Sequence, residues 1–175
     1  ARAVVRLADE LPKPSPDRFR EYRDSELDSV YLWLYSPAPI YEELEIEGVA
    51  SGLMLMAERF GADDPLVVKA LDGRSPQARA EQLVRECTLQ DIETRKRYVK
   101  EGKKAIDASD DPMIRLASAL DSESRALRKR FEDEVEGVER ENYAKIGAAQ
   151  FALYGEDLYP DATGTLRFAF GTVKA

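Results

Sequence analysis

Two long stretches of the chain carry apolar residues at helical spacing. From Tyr41 to Phe60 the apolar positions Ile46, Val49, Leu53, Met56 and Phe60 recur at steps of 3, 4, 3 and 4. That is one face of a helix, and Gly61 is placed to cap its C-terminus. Further on, Leu127, Phe131, Val135, Val138, Asn142, Ile146, Ala149 and Leu153 follow at steps of 4, 4, 3, 4, 4, 3 and 4. This stripe predicts one long helix from near Asp121 to about Tyr154, roughly 50 Å at 1.5 Å per residue. A compact chain of this length is only about 40 Å across. Gly137 and Gly147 each cost about 1 kcal/mol against Ala, so the helix can bend there.

Between the stripes, Asp64-Pro65, Ser75-Pro76 and Asp111-Pro112 each set an N-capping side chain before a proline suited to the first helical position. Thr88 with Asp91 is a weak capping-box match. Short helices are predicted near 65–71, 76–86, 89–100, 103–108 and 112–119. Residues 2–10 form a short helix in this reading. Pro12, Pro14 and Pro16 then interrupt the chain, because each lacks an N–H and pushes its predecessor toward extended backbone. Residues 17–28 are charged without a clear period.

Two segments read as strands. Val30 to Tyr35 alternates Val30, Leu32 and Leu34 with Tyr31, Trp33 and Tyr35, apolar on both faces, as in a strand covered on both sides. Thr165 to Phe170 places Leu166, Phe168 and Phe170 on one face. The expected class is mainly α: a helical bundle with one long C-terminal helix and two short flanking strands. Its parts are a connector and short helix at 1–28, a strand at 29–36, a helical domain at 41–155 and a strand at 159–175. A two-stranded ribbon is marginal alone, so both strands are expected to lie against a larger body.

Composition narrows the chemistry. The net charge is −8 and the pI about 4.8, which disfavours nucleic acid as a partner. The chain has no histidine. That removes Ser-His-Asp and Cys-His catalysis from these residues alone, and with it histidine-dependent zinc and di-iron sites. Cys87 is the only cysteine, so no internal disulfide or cysteine-rich metal site forms, and it reads as a small core residue. No apolar run reaches membrane-span length, and no signal-peptide pattern opens the chain.

Several clusters invite a functional reading beside a plainer one. Glu42, Glu43, Glu45 and Glu47 suit a hard cation, or simply favour a helix N-terminus. Arg128–Glu132, Lys129–Asp133 and Arg130–Glu134 are spaced to pair along a solvated helix face. Residues 91–104 carry a net +3 and residues 36–64 a net −6, an asymmetry that suits docking or an ordinary surface. Asn142, the only asparagine, interrupts the long apolar stripe; it reads as a ligand-reading amide or as a polar group satisfied within the core. Ser-x-x-Lys does not occur, so a Ser-Lys nucleophile has no motif here. No catalytic residue, cofactor or metal is assigned, and no substrate-binding residue can be named.

Four segments carry a resemblance. They are Ser36-Pro37-Ala38-Pro39-Ile40-Tyr41; Ala108-Ser109-Asp110-Asp111-Pro112-Met113-Ile114; Arg125 through Glu136; and the tail with Tyr154-Gly155, Tyr159-Pro160-Asp161-Ala162-Thr163, Thr165-Leu166-Arg167 and Gly171-Thr172-Val173-Lys174. Together they resemble the S46 family of bacterial serine peptidases, the dipeptidyl peptidases, across essentially the whole chain. The tail is the most specific part.

The resemblance implies a chymotrypsin-like double β-barrel with a large inserted helical domain that caps the cleft and helps to bind a substrate N-terminus. It implies removal of dipeptides from peptide N-termini, homodimers, and a periplasmic or cell-surface location. This chain then corresponds to the later helical domain and its re-entry into the barrel near Thr165. The family's catalytic His and Asp lie before this region and its nucleophilic Ser after it, so the chain is expected to be inactive alone. Its partners are the rest of its own polypeptide and, through it, peptide substrates. Gly164 stands where a larger residue is expected, and Ala175 where Gly is. The alternative reading is a stand-alone helical interaction module without catalysis.

Overall fold

The computed structural model describes residues 1–157 and 171–172. The described residues are mainly helical, and the chain divides into two compact units, 1–126 and 127–175. The first unit opens with α1 (Arg2–Glu10), α2 (Asp24–Leu34) and α3 (Glu42–Phe60). It continues with α4 (Pro65–Leu71), α5 (Pro76–Arg85), α6 (Ile92–Glu101) and α7 (Lys103–Asp107). Then come α8 (Pro112–Phe131), a π-helical turn (Glu132–Glu136) and α9 (Gly137–Tyr154).

Side-chain caps set the starts of α4, α5, α6 and α8. The Asp64 carboxylate accepts from Leu66 N–H at 2.8 Å and the Ser75 hydroxyl from Ala78 N–H at 3.2 Å. Asp111 accepts from Met113 N–H at 2.9 Å and Ile114 N–H at 3.1 Å. Each satisfies a donor that the first helical turn leaves without a partner. The Thr88 expectation is corrected. Asp91 itself caps α6, accepting from Thr94 N–H at 2.7 Å, while Thr88 donates its hydroxyl to Asp111 at 2.8 Å.

The strand expected at 29–36 is replaced by α2. Inside the six-residue window every position is apolar, so no period can be read there. Leu27, just outside it, sets the period: Leu27, Val30 and Leu34 stand at steps of 3 and 4 and turn toward the core with Tyr31. Asp24 and Glu26 lie in the first turn, where negative charge favours a helix. Tyr31 and Tyr35, one turn apart, stack at 5.6 Å. The expected strand at 159–175 lies outside the described residues except at 171–172, which are in no regular element. The short helix expected at 112–119 does not end there, because Asp121 is an interior residue of α8 rather than the start of a new helix.

Unit 1 has one core around α1, whose Val4, Val5, Leu7 and Ala8 are buried against α2, Tyr98 of α6, Ile106 of α7 and Ile114 of α8. A second group joins Ile46, Ala50 and Leu53 of α3 to Ala70 of α4 and Ala80, Leu83 and Val84 of α5. The first stretch of α8 serves both groups through Ile114, Met113 and Leu116.

Beside the apolar core lies an ion-pair network that joins α1 to α8. Arg6 donates to Asp121 at 2.9 Å and to the Ser124 hydroxyl at 3.0 Å. Glu10, fully buried, accepts from Arg125 at 2.6 Å, from Lys13 at 2.7 Å and from Phe19 N–H at 2.9 Å. Asp121 also pairs with Arg125, whose guanidinium lies 4.7 Å from the Phe19 ring centroid. Burial by itself raises both carboxyls, but the hydrogen bonds and cations around them outweigh it and hold each below its ordinary value.

Candidate functional site

A recess in unit 1 begins where α2 ends. The helix stops at Leu34, because Ser36-Pro37-Ala38-Pro39 cannot continue it. Arg95 of α6 reaches across and donates to Leu34 C=O at 2.6 Å and to Ser36 C=O at 3.4 Å. A cation at a helix C-terminus is favourable, and here it fixes the turn. The Arg95 Nε atom is buried without a partner among the described residues.

That turn forms one wall of a cavity of about 580 Å³. Trp33, Ile40, Val49, Val84, Leu89 and Met113 supply its apolar lining, with Glu45, Gln90, Arg95 and Cys87 between them. Trp33 is 67% exposed and also borders a second, more open recess of about 730 Å³ with Tyr31, Leu32 and Tyr35. A mainly apolar hollow with a few polar groups is the usual form of a small-ligand or side-chain pocket.

Burial pushes the Cys87 thiol up, so it remains protonated and weakly nucleophilic. Among the described residues no cluster of His, Cys, Asp or Glu is arranged to hold a metal.

The acidic cluster lies in the first turns of α3. There Glu42 pairs with Arg85 at 3.0 Å, and Glu45 alone of the four borders the cavity. The pairs expected on the late helix form, Arg128–Glu132 and Lys129–Asp133 at 2.6 Å and Arg130–Glu134 at 3.0 Å. Asn142 is not in a core. It is exposed, and its amide donates to Val138 C=O one turn back at 2.8 Å. Cys87 is half-buried at the cavity rather than enclosed. In the basic stretch 91–104, Lys96 pairs with Glu93 at 2.8 Å and Lys103 with Asp9 at 3.5 Å.

Sequence reasoning placed Trp33 in a strand and therefore missed the cavity. The available signal was the Pro37-Ala38-Pro39 break directly after an aromatic-rich segment.

A family model described as peptidase S46 matches residues 1–175. This chain belongs to the peptidase S46 family. No curated protein matches it. Family membership makes the chain's function peptidase-related. No helix among the described residues is long and apolar enough to cross a membrane.

Proposed function

We propose that this chain is the helical part of a serine-type dipeptidyl aminopeptidase, which removes dipeptides from peptide N-termini. In this reading residues 41–155 cap the substrate cleft, and 159–175 re-enter a chymotrypsin-like double barrel. The chain has no activity alone; the rest of its own polypeptide supplies nucleophile, base and oxyanion hole, in the periplasm or at the cell surface. The observation that carries the reading is a peptidase-family match over all 175 residues of a chain that contains no histidine. The apolar recess beside Trp33, with no activated nucleophile in it, supports a binding role.

The test is intact mass after treatment with a fluorophosphonate serine probe, for this chain and for the full-length protein. The expected result is no adduct on the chain, one on the full-length protein, and release of dipeptides from unblocked peptides by the latter only. A stoichiometric adduct on the chain overturns the reading. So does a full-length protein that labels but cuts blocked peptides equally well.

A further inference from the structure

The cavity and the open recess share Trp33 and Ser36 in their linings, so an extended ligand can lie in both. The apolar surface around them is uncovered. Leu32 is 80% exposed and Leu44 68%, and Trp33, Ile40 and Tyr41 are exposed as well. A large indole set between two hollows is the kind of residue that dominates a binding energy. Its face also attracts ammonium and guanidinium groups.

The charge at this corner has one sign. Residues 24–47 carry seven acidic side chains and no lysine or arginine. Asp24 is answered by Arg18 at 2.7 Å and Glu42 by Arg85 at 3.0 Å. Asp28 borders the open recess and Glu45 the cavity. Both are exposed, and neither has an ion pair among the described residues. Two cations at the corner are engaged elsewhere. Arg95 donates to the carbonyls of Leu34, Ser36 and Gln90. Lys96, 5.9 Å over the Tyr35 ring, pairs with Glu93 at 2.8 Å. Uncompensated carboxylates beside apolar walls concentrate cations between them.

We propose that this corner binds a cationic amphipathic peptide segment. Its apolar side chains enter the cavity, and its lysines or arginines meet Asp28, Glu45 and the face of Trp33. Charge complementarity commits the site to this occupant. Nucleic acid or an anionic lipid surface would face the same seven carboxylates. A neutral apolar partner would desolvate Asp28 and Glu45 without pairing them. A lone small cation would leave the apolar walls unused. The segment is recognised by its side chains and not by its terminus, so the proposal goes beyond the peptidase reading and does not rest on it.

The test uses a short peptide of leucine and lysine, N-acetylated and C-amidated, which offers an aminopeptidase no free N-terminus. Trp33 is the only tryptophan of the chain, so its emission reports the site directly and should shift to the blue on binding. Anisotropy of the same peptide carrying a neutral dye gives the affinity for this chain, its variants and the full-length protein. Asp28→Asn combined with Glu45→Gln should weaken binding at least tenfold and flatten its salt dependence. Trp33→Ala should also weaken it at least tenfold. Asp63→Asn, an exposed acid that lines neither recess, should change it less than twofold. All these side chains are exposed, so the variants are expected to fold. Equal binding of the peptide with glutamate or serine for lysine overturns the proposal. So does binding without a Trp33 shift, which marks general attraction to a chain of net charge −8. Binding to this chain but not to the full-length protein also overturns it, because the rest of the polypeptide then covers the corner. Fluorophosphonate labelling judges the peptidase reading separately.

Discussion

Helices α1 and α9 use their sequences in opposite ways. In the nine residues of α1, Val4, Val5, Arg6, Leu7, Ala8 and Glu10 are buried, and two of those are charged. In α9 no residue is buried, although Val138, Tyr143, Ile146, Phe151, Leu153 and Tyr154 are large and apolar. Burial therefore follows the partners a helix has within its unit, not its own hydropathy. In α1, ions are tolerated inside because each one finds opposite charge and hydrogen bonds on α8 and the 13–19 segment. In α9, apolar surface stays exposed because the described residues of unit 2 give it no second layer.

The largest effect expected from breaking this contrast is at Glu10. Glu10→Gln removes the charge that holds Arg125 and Lys13, while keeping the side-chain volume. Breaking one partner of a buried ion pair costs about 3–5 kcal/mol, so chemical denaturation should show a loss of that order for unit 1. A change below about 1 kcal/mol would mean that the network is solvated and contributes little. The reverse experiment, replacing network members by apolar residues of equal volume, should be close to neutral by the same principle.

The next effect compares like with like. Leu7 of α1 is fully buried and Ile146 of α9 is exposed. Leu7→Ala should cost about 2–5 kcal/mol through lost burial and the cavity left behind. Ile146→Ala, measured at a concentration low enough to keep the chain monomeric, should stay within about 0.5 kcal/mol. Equal losses at both sites would show that α9 is already covered and would remove the contrast.

A smaller effect comes from pH, because protonation changes charge and leaves volume intact. Glu10 and Asp121 are both held below their ordinary values in the folded chain. Each stabilises the fold fully above its unfolded value, about 4.3 for Glu and 3.9 for Asp. That contribution is lost as pH falls from there through the depressed folded values. Thermal unfolding should show a midpoint that drops below about pH 4. Glu10→Gln should flatten the drop, whereas Ile146→Ala should leave its slope unchanged.

What could be read from the sequence follows the same physics. The starts of α4, α5 and α8 were legible because their caps are local: Asp64, Ser75 and Asp111 bond donors two or three residues away. The path of α2 was not, since its apolar residues between Val30 and Tyr35 hide any period. The network was invisible because Arg6 and Asp121, like Glu10 and Arg125, are 115 residues apart. Only the matching spacing within each helix, Arg6 to Glu10 and Asp121 to Arg125, hinted at it. For the candidate site, the polar residues singled out in advance gave Glu45 and Cys87 at the cavity edge. Its main wall, Trp33, depended on the helix that was misread.

The finest test of the contrast is at Gly137, where α9 begins. Its N–H donates to Glu132 C=O five residues back, closing the π-helical turn. A Cβ at this position would stand 3.2 Å from that same oxygen. Gly137→Ala therefore sets two small terms against each other. Alanine gains about 1 kcal/mol of helix propensity over glycine, and the crowded carbonyl must give way by a few tenths of an ångström. If the π turn is retained, the terms nearly cancel and helix content by circular dichroism barely changes. If the turn relaxes to α-helix, helicity rises, but the stripe beyond it rotates relative to Leu127 and Phe131. Hydrogen exchange at the Glu132–Gly137 amides separates these outcomes, and the expected one is retention. Faster exchange of the Gly137 amide would instead show that the π turn has relaxed and that the two halves of the stripe no longer share one face.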